Sequence, residues 1–140
     1  MIVLFDTSAI AKRYREENGR EQVEHWLFNA TQVVLAAHCK VEVASSLCRD
    51  LLSGDTSEAD FANDMEKVEK DFVDFDVMAI NPRIERLAIQ AMKGNRLRAM
   101  DALHIATAWA AGVDLFVTAD RAQARAAQSV ALPTELVATA

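Results

Sequence analysis

Four acidic residues of this chain stand where a carboxylate would be costly unless something balanced its charge. Asp6 directly follows the apolar start MIVLF, and Asp120 follows a second apolar run in LFVTAD. Glu42 has apolar neighbours in HCKVEVASSL, and Asp101 opens the apolar segment DALHIATAWA. An ionised carboxylate near a protein core costs several kcal/mol unless it is paired or bound to metal. These residues are therefore the first candidates for a functional site.

Each acid, taken alone, also has an explanation that involves no ligand. Asp101 would stabilise the start of a helix, because a negative charge there interacts favourably with the helix dipole. Glu42 would be an ordinary residue if it lay on the exposed side of a helix. The sequence leaves both explanations open for each residue, so the elements that position the acids have to be considered.

Strand-like and helix-like segments alternate along the chain. Apolar runs predict strands at 2–5, 33–36, 75–80, 115–118 and, as an edge strand, 134–139. Helical spacing and capping residues predict helices at 8–17, 20–29, about 40–53, from 56 or 57, from 82, 100–111 and 121–129. This alternation predicts an α/β fold with a mainly parallel sheet and helices on both of its faces.

The predicted sheet indicates at which of its two edges each strand-flanking acidic residue lies. Ligand sites in open parallel sheets form beyond the carboxyl ends of the strands. Asp6 and Asp120 each follow a predicted strand directly, so both are expected at this edge. Asp114 precedes its strand and is expected at the opposite edge, as a strand-start or solvent residue.

The composition bounds the class of protein. With 140 residues, the chain is expected to form one domain, residues 1–140. The net charge of −6 argues against a surface coated in basic residues for binding nucleic acid, but allows a local basic rim. No membrane span or signal peptide is recognisable, so we expect a cytoplasmic protein with no membrane partner. Cys39 and Cys48 are expected to be buried thiols.

Four segments together resemble the PIN-domain ribonucleases, and most closely the VapC-type toxins of bacterial and archaeal toxin–antitoxin pairs. They are FDTSAIAK, the helix around Glu42, MDALHIATA and LFVTADRAQARAA. The resemblance extends from residue 2 to about residue 137. It implies a three-layer α/β/α sandwich with a central parallel sheet. It also implies a catalytic acidic quartet formed by Asp6, Glu42, Asp101 and Asp120.

A quartet of carboxylates suits the hydrolysis of RNA phosphodiester bonds with Mg²⁺ or Mn²⁺. Like charges about 4 Å apart repel by roughly 4 kcal/mol at an effective dielectric constant of 20, so the cluster needs a divalent cation. Carboxylate oxygens are the ligands these ions prefer, and a bound ion can lower the pKa of its water. We expect the three aspartates to bind metal and Glu42 to bind it or to orient the attacking water. Supporting hydrogen bonds to carboxylate or phosphate are expected from Thr7, Ser8 and Thr118.

Basic residues flank three of the four acidic segments and would form a rim along an RNA backbone. The expected contacts are Lys12, Arg13, Arg98 and Arg121. His104 is expected to be a packed, hydrogen-bonded residue rather than a general base. The resemblance further implies a homodimer, a cognate antitoxin and an RNA substrate, either one structured RNA such as a tRNA or a broader set.

Rival classes fit the residues less well. A haloacid-dehalogenase-like phosphatase would need a second aspartate two residues after the first, where this chain has Ser8. A receiver domain would need an acidic pair after the first strand and a late lysine, but the last lysine is Lys93. The remaining alternative is a catalytically silent PIN scaffold that binds RNA or a protein partner.

Overall fold

The computed structural model describes residues 1–138 and contains one parallel sheet of five strands. The strands are β1 (Ile2–Phe5), β2 (Gln32–Ala36), β3 (Asp76–Met78), β4 (Leu115–Thr118) and β5 (Thr134–Leu136). They pair in the order β3-β2-β1-β4-β5. The strand order reverses at β1, which pairs with β2 on one side and with β4 on the other. Ligand sites of open sheets form beside such a reversal.

Helices connect the strands and cover both faces of the sheet. Their bounds are α1 (Thr7–Ile10), α2 (Arg20–Asn29), α3 (Cys39–Leu52), α4 (Glu58–Asp74), α5 (Pro82–Gly94), α6 (Ala99–Ala111) and α7 (Arg121–Ser129). A 3₁₀ helix, Ala11–Tyr14, continues α1. Within residues 1–138, no helix is both long and apolar enough to cross a membrane.

The alternation of side chains along the strands explains the three layers. Val3 and Phe5 of β1 pack with buried residues of α1 to α4, whereas Leu4 packs with residues of α5 to α7. Because successive strand residues point to opposite faces, both faces of β1 are apolar and each is covered by helices. The predicted α/β/α sandwich with a parallel sheet is therefore confirmed.

Most predicted element boundaries are reproduced within two residues, and four predictions need correction. The predicted helix 8–17 is interrupted, because the 3₁₀ helix ends at Tyr14 and Arg15 is extended. The strand predicted at 75–80 spans only Asp76–Met78. The strand predicted at 134–139 is an edge strand but ends at Leu136, and residue 139 lies outside the described residues. Cys39 is buried as expected, whereas Cys48 lies on the exposed side of α3.

Gly19, which precedes α2, occupies a backbone conformation that disfavours other residues. Its φ angle is +93°, and a Cβ atom at this position would lie 2.5 Å from the carbonyl oxygen of Ala138. We expect Gly19→Ala to lower the free energy of unfolding by about 2 kcal/mol or more, since the left-handed conformation alone costs roughly 1–2 kcal/mol. Urea denaturation measures the difference.

Gly54→Ala is the matched control for this prediction. Gly54 has a φ angle of +78°, but no atom lies within 4 Å of the position its Cβ would take. The decrease in the free energy of unfolding for Gly54→Ala should therefore equal the cost of the backbone conformation, about 1 kcal/mol. Equal decreases in the free energy of unfolding of the two variants would show that the close contact with Ala138 adds nothing to the cost of Gly19→Ala.

Candidate functional site at the carboxyl edge of the sheet

All four residues of the acidic quartet lie at the beginning of a helix. Asp6 and Asp120 are the N-cap residues of α1 and α7, and Glu42 and Asp101 lie in the first turns of α3 and α6. The strands that precede Asp6 and Asp120 pair directly, and the Asp6 N–H donates to the carbonyl oxygen of Val117 at 3.0 Å. The prediction that Asp6 and Asp120 share one sheet edge is therefore confirmed.

Asp114 lies at the opposite end of β4, as expected. Its carboxylate accepts a hydrogen bond from the Ile2 N–H at 2.7 Å, and its own N–H donates to the carbonyl oxygen of Ile2 at 2.8 Å. Asp114 thus ties the starts of two paired strands together and does not belong to the candidate site.

Asp6 is buried, with only 2% of its surface exposed. Its Oδ1 accepts hydrogen bonds from the Ser8 hydroxyl at 2.6 Å and the Ala9 N–H at 3.0 Å. Its Oδ2 accepts a hydrogen bond from the Thr118 hydroxyl. Burial raises the pKa of Asp6 above its ordinary value, although the charge of His104 and these hydrogen bonds oppose the shift. The protein therefore holds this carboxylate in a fixed orientation at a cost in desolvation.

Ser8 and Thr118 also join the two segments that carry Asp6 and Asp120. The Ser8 hydroxyl oxygen accepts a hydrogen bond from the Ala119 N–H at 2.9 Å. The Thr118 hydroxyl oxygen accepts one from the Asp120 N–H at 3.0 Å. Each hydroxyl thus donates to Asp6 and accepts from the β4–α7 connection, which fixes the two acidic segments relative to each other.

Ser8→Ala is expected to lower the free energy of unfolding by about 1 kcal/mol, because it removes the hydroxyl that accepts from the Ala119 N–H. Ala119 is 9% exposed, but Ser8 is exposed and both residues line the cleft, so water replaces part of the lost hydrogen bond. Urea denaturation provides the measurement. Ser45→Ala is the control, since Ser45 is exposed on α3 and its hydroxyl accepts a hydrogen bond from the exposed Arg49 side chain. A Ser8→Ala loss no larger than the Ser45→Ala loss would contradict this role.

Glu42 is held by three side chains from three elements. Its Oε1 accepts a hydrogen bond from the Thr7 hydroxyl at 2.6 Å, and it lies 2.8 Å from His104 Nε2 and 3.3 Å from His38 Nε2. Burial raises the pKa of Glu42, but the hydrogen bonds from His104 and Thr7 and the charges of both histidines outweigh it. The net pKa is lowered, so Glu42 is an ionised carboxylate at neutral pH.

The environment of one of the two histidines around Glu42 was predicted from the sequence, and that of the other was not. His104 is 2% exposed and hydrogen-bonded, as expected from its place one turn after Asp101. His38 belongs to no motif of the sequence. The available signal was its spacing of four residues before Glu42, which places both side chains on one side of a helix start.

Asp101 and Asp120 are more accessible than Asp6. Asp101 lies 3.5 Å from the Arg98 guanidinium. Burial lowers the pKa of His38, and the charge of Asp101 only partly opposes this shift. Asp120 is exposed, and its Oδ1 accepts a hydrogen bond from the Gln123 N–H at 3.0 Å. Both residues therefore stabilise helix starts, which is compatible with a further role as metal ligands.

The acidic quartet fits a Mg²⁺ or Mn²⁺ site in its chemistry, because these ions prefer carboxylate oxygens as ligands. All four side chains offer carboxylate oxygens from one edge of the sheet, and a cation would offset the desolvation of the buried Asp6. Within residues 1–138, however, the three ligand-type side chains whose atoms lie within 4.8 Å of one another are His38, Glu42 and His104. Mg²⁺ commonly keeps several waters and uses one or two protein carboxylates, so a wider carboxylate arrangement suits it.

A cleft of about 580 Å³ opens beside this edge. It is lined by Thr7, Ser8 and Glu42, by Ala119 next to Asp120, and by the basic side chains Lys12, Arg15, Arg49 and Arg98. Glu17 also lines it and pairs with Lys12 at 3.6 Å. The cleft therefore combines part of the acidic edge with a basic wall, which suits a negatively charged polymer.

The four basic residues predicted to contact RNA have different environments. Lys12 is 4% exposed, and its ammonium donates to the Asn18 carbonyl at 2.7 Å. Arg13 pairs with Asp71 at 2.6 Å and does not line the cleft. Arg98 lines the cleft and its side chain is 89% exposed, whereas Arg121 is exposed at the start of α7.

Comparisons with known proteins place the chain in a family. The family model described as "PIN domain" matches residues 3–129. A search of curated proteins finds no significant match. Among solved structures, FitAcB from Neisseria gonorrhoeae is 19% identical, with a TM-score of 0.70, and the match covers 94% of this chain and 95% of that one.

Two further structures are similar. A toxin-antitoxin complex from Klebsiella pneumoniae is 17% identical, with a TM-score of 0.65 and coverage of 84% of this chain and 86% of that one. VapC20 of Mycobacterium tuberculosis, a toxin that cleaves the sarcin-ricin loop, is 15% identical, with a TM-score of 0.68 and coverage of 89% and 94%. At these identities the structures establish a shared fold. Since the family model covers nearly the whole described chain, the protein belongs to the PIN domain family.

Proposed function

We propose that this protein is a metal-dependent endoribonuclease, formed by a single domain of residues 1–140, and the toxin of a toxin–antitoxin pair. It would hydrolyse phosphodiester bonds in RNA in the cytoplasm. The observation that carries the proposal is the placement of four acids at one sheet edge, with the least exposed of them, Asp6, held by three hydrogen bonds. A PIN-domain fold shared with the VapC20 toxin supports it.

The three aspartates, Asp6, Asp101 and Asp120, would hold Mg²⁺ or Mn²⁺. The ion would supply positive charge to the scissile phosphate and lower the pKa of a bound water. Ser8 and Thr118 keep both Asp6 oxygens oriented through their hydroxyl groups. Because these hydroxyls also bind the β4–α7 connection, they position Asp6 relative to Asp120.

Glu42 would ligate metal or orient the attacking water. Its net lowered pKa keeps it ionised at neutral pH, so it accepts hydrogen bonds and does not compete as a donor. Thr7 and His104 fix its Oε1, and the side chain stays partly exposed toward the cleft. Thr7 is therefore a positioning residue for Glu42.

Basic residues of the cleft wall would contact the RNA backbone. Arg49 and Arg98 line the cleft with Glu42, and Arg121 begins the helix that Asp120 caps. Arg15 also lines the cleft, but it pairs with Asp50 at 3.0 Å. The net charge of −6 confines such contacts to this local wall. Lys12 and Arg13, which the sequence also suggested, have intramolecular partners and would act mainly by supporting the α1 segment.

A cognate antitoxin and a second copy of the chain are the proposed protein partners. The similarity to a toxin-antitoxin complex supports the first. Exposed apolar side chains on α2 and α4, Phe28 at 89% and Val73 at 83%, offer contact area for a homodimer. Sedimentation of the purified protein tests the dimer, and a monomer at micromolar concentration would contradict it.

The test of the proposed function is cleavage of total cellular RNA by protein freed of any copurified partner. Cleavage should require Mg²⁺ or Mn²⁺, stop with EDTA and be absent in Asp101→Asn, which keeps the helix start intact. Equal cleavage by wild type and Asp101→Asn would indicate a contaminating nuclease and contradict the assignment. No cleavage together with no Mn²⁺ binding would favour the alternative of a catalytically silent scaffold that binds RNA or protein.

A further inference from the structure

Two imidazoles converge on one carboxylate oxygen beside the cleft. His38 Nε2 lies 3.3 Å and His104 Nε2 lies 2.8 Å from Glu42 Oε1. His38 immediately precedes α3, which carries Glu42, whereas His104 projects from α6. The role proposed for Glu42 in hydrolysis requires neither the second imidazole nor this convergence.

Hydrogen bonds within the cluster do not satisfy all the polar atoms of Glu42, His38 and His104. Thr7, His104 and His38 all approach Oε1 of Glu42, although a carboxylate oxygen has two lone pairs. His38 Nε2 also lies 2.9 Å from the carbonyl oxygen of Met100, so its single N–H is divided between two acceptors. In the described part of the chain, the Nδ1 atoms of both histidines are buried without a hydrogen-bond partner. The cluster thus holds more polar atoms than its hydrogen bonds can satisfy.

The spacing of the three atoms matches that of metal ligands. Two ligands of a tetrahedral Zn²⁺ at 2.0–2.1 Å are separated by about 3.3 Å. The two measured nitrogen-to-oxygen distances are 2.8 Å and 3.3 Å. Ligand atoms of His38, Glu42 and His104 all lie within 4.8 Å of one another. Metal binding requires each Nε2 to carry no proton, with the ring proton on Nδ1, and requires His38 Nε2 to move away from the Met100 carbonyl oxygen. With these changes, small side-chain shifts would place the three atoms around one ion.

We propose that His38, Glu42 and His104 form a second metal site, which binds a borderline transition-metal ion such as Zn²⁺ and shares Glu42 with the acidic quartet. Imidazole nitrogens favour Zn²⁺ and its neighbours in the first transition row, whereas Mg²⁺ favours oxygen ligands. Three protein ligands leave a fourth position for water. His38 and Glu42 are partly exposed, with side-chain exposures of 15% and 32%, so an ion reaches the cluster from their side.

The shared ligand predicts antagonism between the two kinds of ion. A Glu42 side chain bound to Zn²⁺ with both histidines is withdrawn from the position it takes in Mg²⁺-dependent hydrolysis. Zn²⁺ therefore acts as an inhibitor of the nuclease. This consequence rests on the proposed function, whereas the binding of the ion does not.

Titration of the metal-free protein with Co²⁺, a spectroscopic substitute for Zn²⁺, tests the site directly. Wild type should bind one Co²⁺ with the intense visible absorption of four-coordinate cobalt. His38→Gln should weaken binding by at least about 100-fold, the upper end of what loss of a mere supporting partner costs. His25→Gln is the matched control, because His25 is exposed on α2 and away from the cluster.

The outcomes separate the site from a purely structural hydrogen-bond cluster. Absorption that is absent in wild type, or unchanged in His38→Gln, overturns the proposal. A thermal melt of each variant shows whether it is folded, and Glu42→Gln provides a second ligand deletion if His38→Gln is not.

A separate assay measures inhibition of Mg²⁺-dependent RNA cleavage by Zn²⁺. His38→Gln, compared with its own uninhibited rate, should require at least tenfold more Zn²⁺ for half inhibition. Equal sensitivity of His38→Gln and wild type overturns the antagonism. If wild type binds Co²⁺ through His38 but cleaves no RNA, the proposed nuclease function fails and the metal site stands.

Discussion

Asp6→Asn is expected to lower Mg²⁺-dependent RNA cleavage by roughly a thousandfold while the protein remains folded. Asparagine has nearly the shape of aspartate and is an equally good N-cap, so it can keep the hydrogen bond from Ala9 N–H. It lacks the negative charge that attracts a divalent cation. The neutral amide avoids the desolvation of a buried carboxylate, which favours stability. It also replaces the oxygen that accepts from the buried Thr118 hydroxyl with an NH2 donor, so these two effects on stability oppose each other.

Asp114→Asn is the matched control for Asp6→Asn. Asp114 lies at the opposite edge of the sheet, and its asparagine variant can still accept the Ile2 N–H. Single-turnover cleavage and thermal unfolding are measured for both variants, with Mg²⁺ and with EDTA. Asp6→Asn activity above a tenth of wild type would contradict the assignment of Asp6 as a metal ligand. Equal losses in both variants would show that activity depends on charge in general rather than on this edge.

Asp71→Ala is expected to lower the free energy of unfolding by about 3 kcal/mol, the lower end of the range for breaking a buried ion pair. Asp71, on α4, accepts hydrogen bonds from Arg13 Nε at 2.6 Å and from the Tyr14 hydroxyl at 2.7 Å. Its side chain is only 16% exposed and that of Arg13 is 26% exposed. The variant thus leaves the half-buried Arg13 guanidinium and the buried Tyr14 hydroxyl without their main acceptor.

Glu69→Ala provides the control on the same helix. Glu69 pairs with Lys40 at 2.6 Å, but these side chains are 58% and 39% exposed. Such a surface pair contributes about 0–1 kcal/mol. Urea denaturation of both variants gives the comparison. A loss for Asp71→Ala that is as small as the loss for Glu69→Ala would mean that this contact does not anchor the α1 segment to α4.

The elements of the fold were predictable because their signals are local. The apolar run of β1 lies where it was predicted, and Asn81 caps α5 directly before the predicted start at 82. Of the two starts left open for α4, the structure has Ser57 as the cap. A capping side chain acts within a few residues, and a doubly buried strand is apolar throughout, so neither signal depends on distant contacts. The prediction of a continuous helix at 8–17 was wrong because this segment depends on distant contacts. Its basic side chains have partners outside the segment, and Arg13 binds Asp71 on α4.

The acidic quartet was predictable from residue type and position, but its environment was not. Strand-end placement put Asp6 and Asp120 at one edge. Which hydroxyl supports which carboxylate depended on packing: Thr7 binds Glu42, whereas Ser8 and Thr118 bind Asp6. The sequence could not reveal that Lys12 is buried or that Arg49 lines the cleft. The burial of Lys12 and the position of Arg49 depend on how the helices pack against each other. The periodicity of apolar residues in the sequence does not specify that packing.

The sequence by itself determined the parallel α/β class, the sheet edge that carries Asp6 and Asp120, and the four acids that suit a divalent cation. The class and the edge follow from side-chain periodicity and from the direction of parallel strands. The grouping of Glu42 and Asp101 with Asp6 and Asp120 is what the resemblance to the PIN-domain ribonucleases implies. Only the tertiary structure decided that His38 and His104, which are 66 residues apart by their numbering, meet on Glu42. The helices α3 and α6 pack on opposite faces of the sheet, and the side chains at their starts meet beyond its edge. No local sequence pattern predicts this contact.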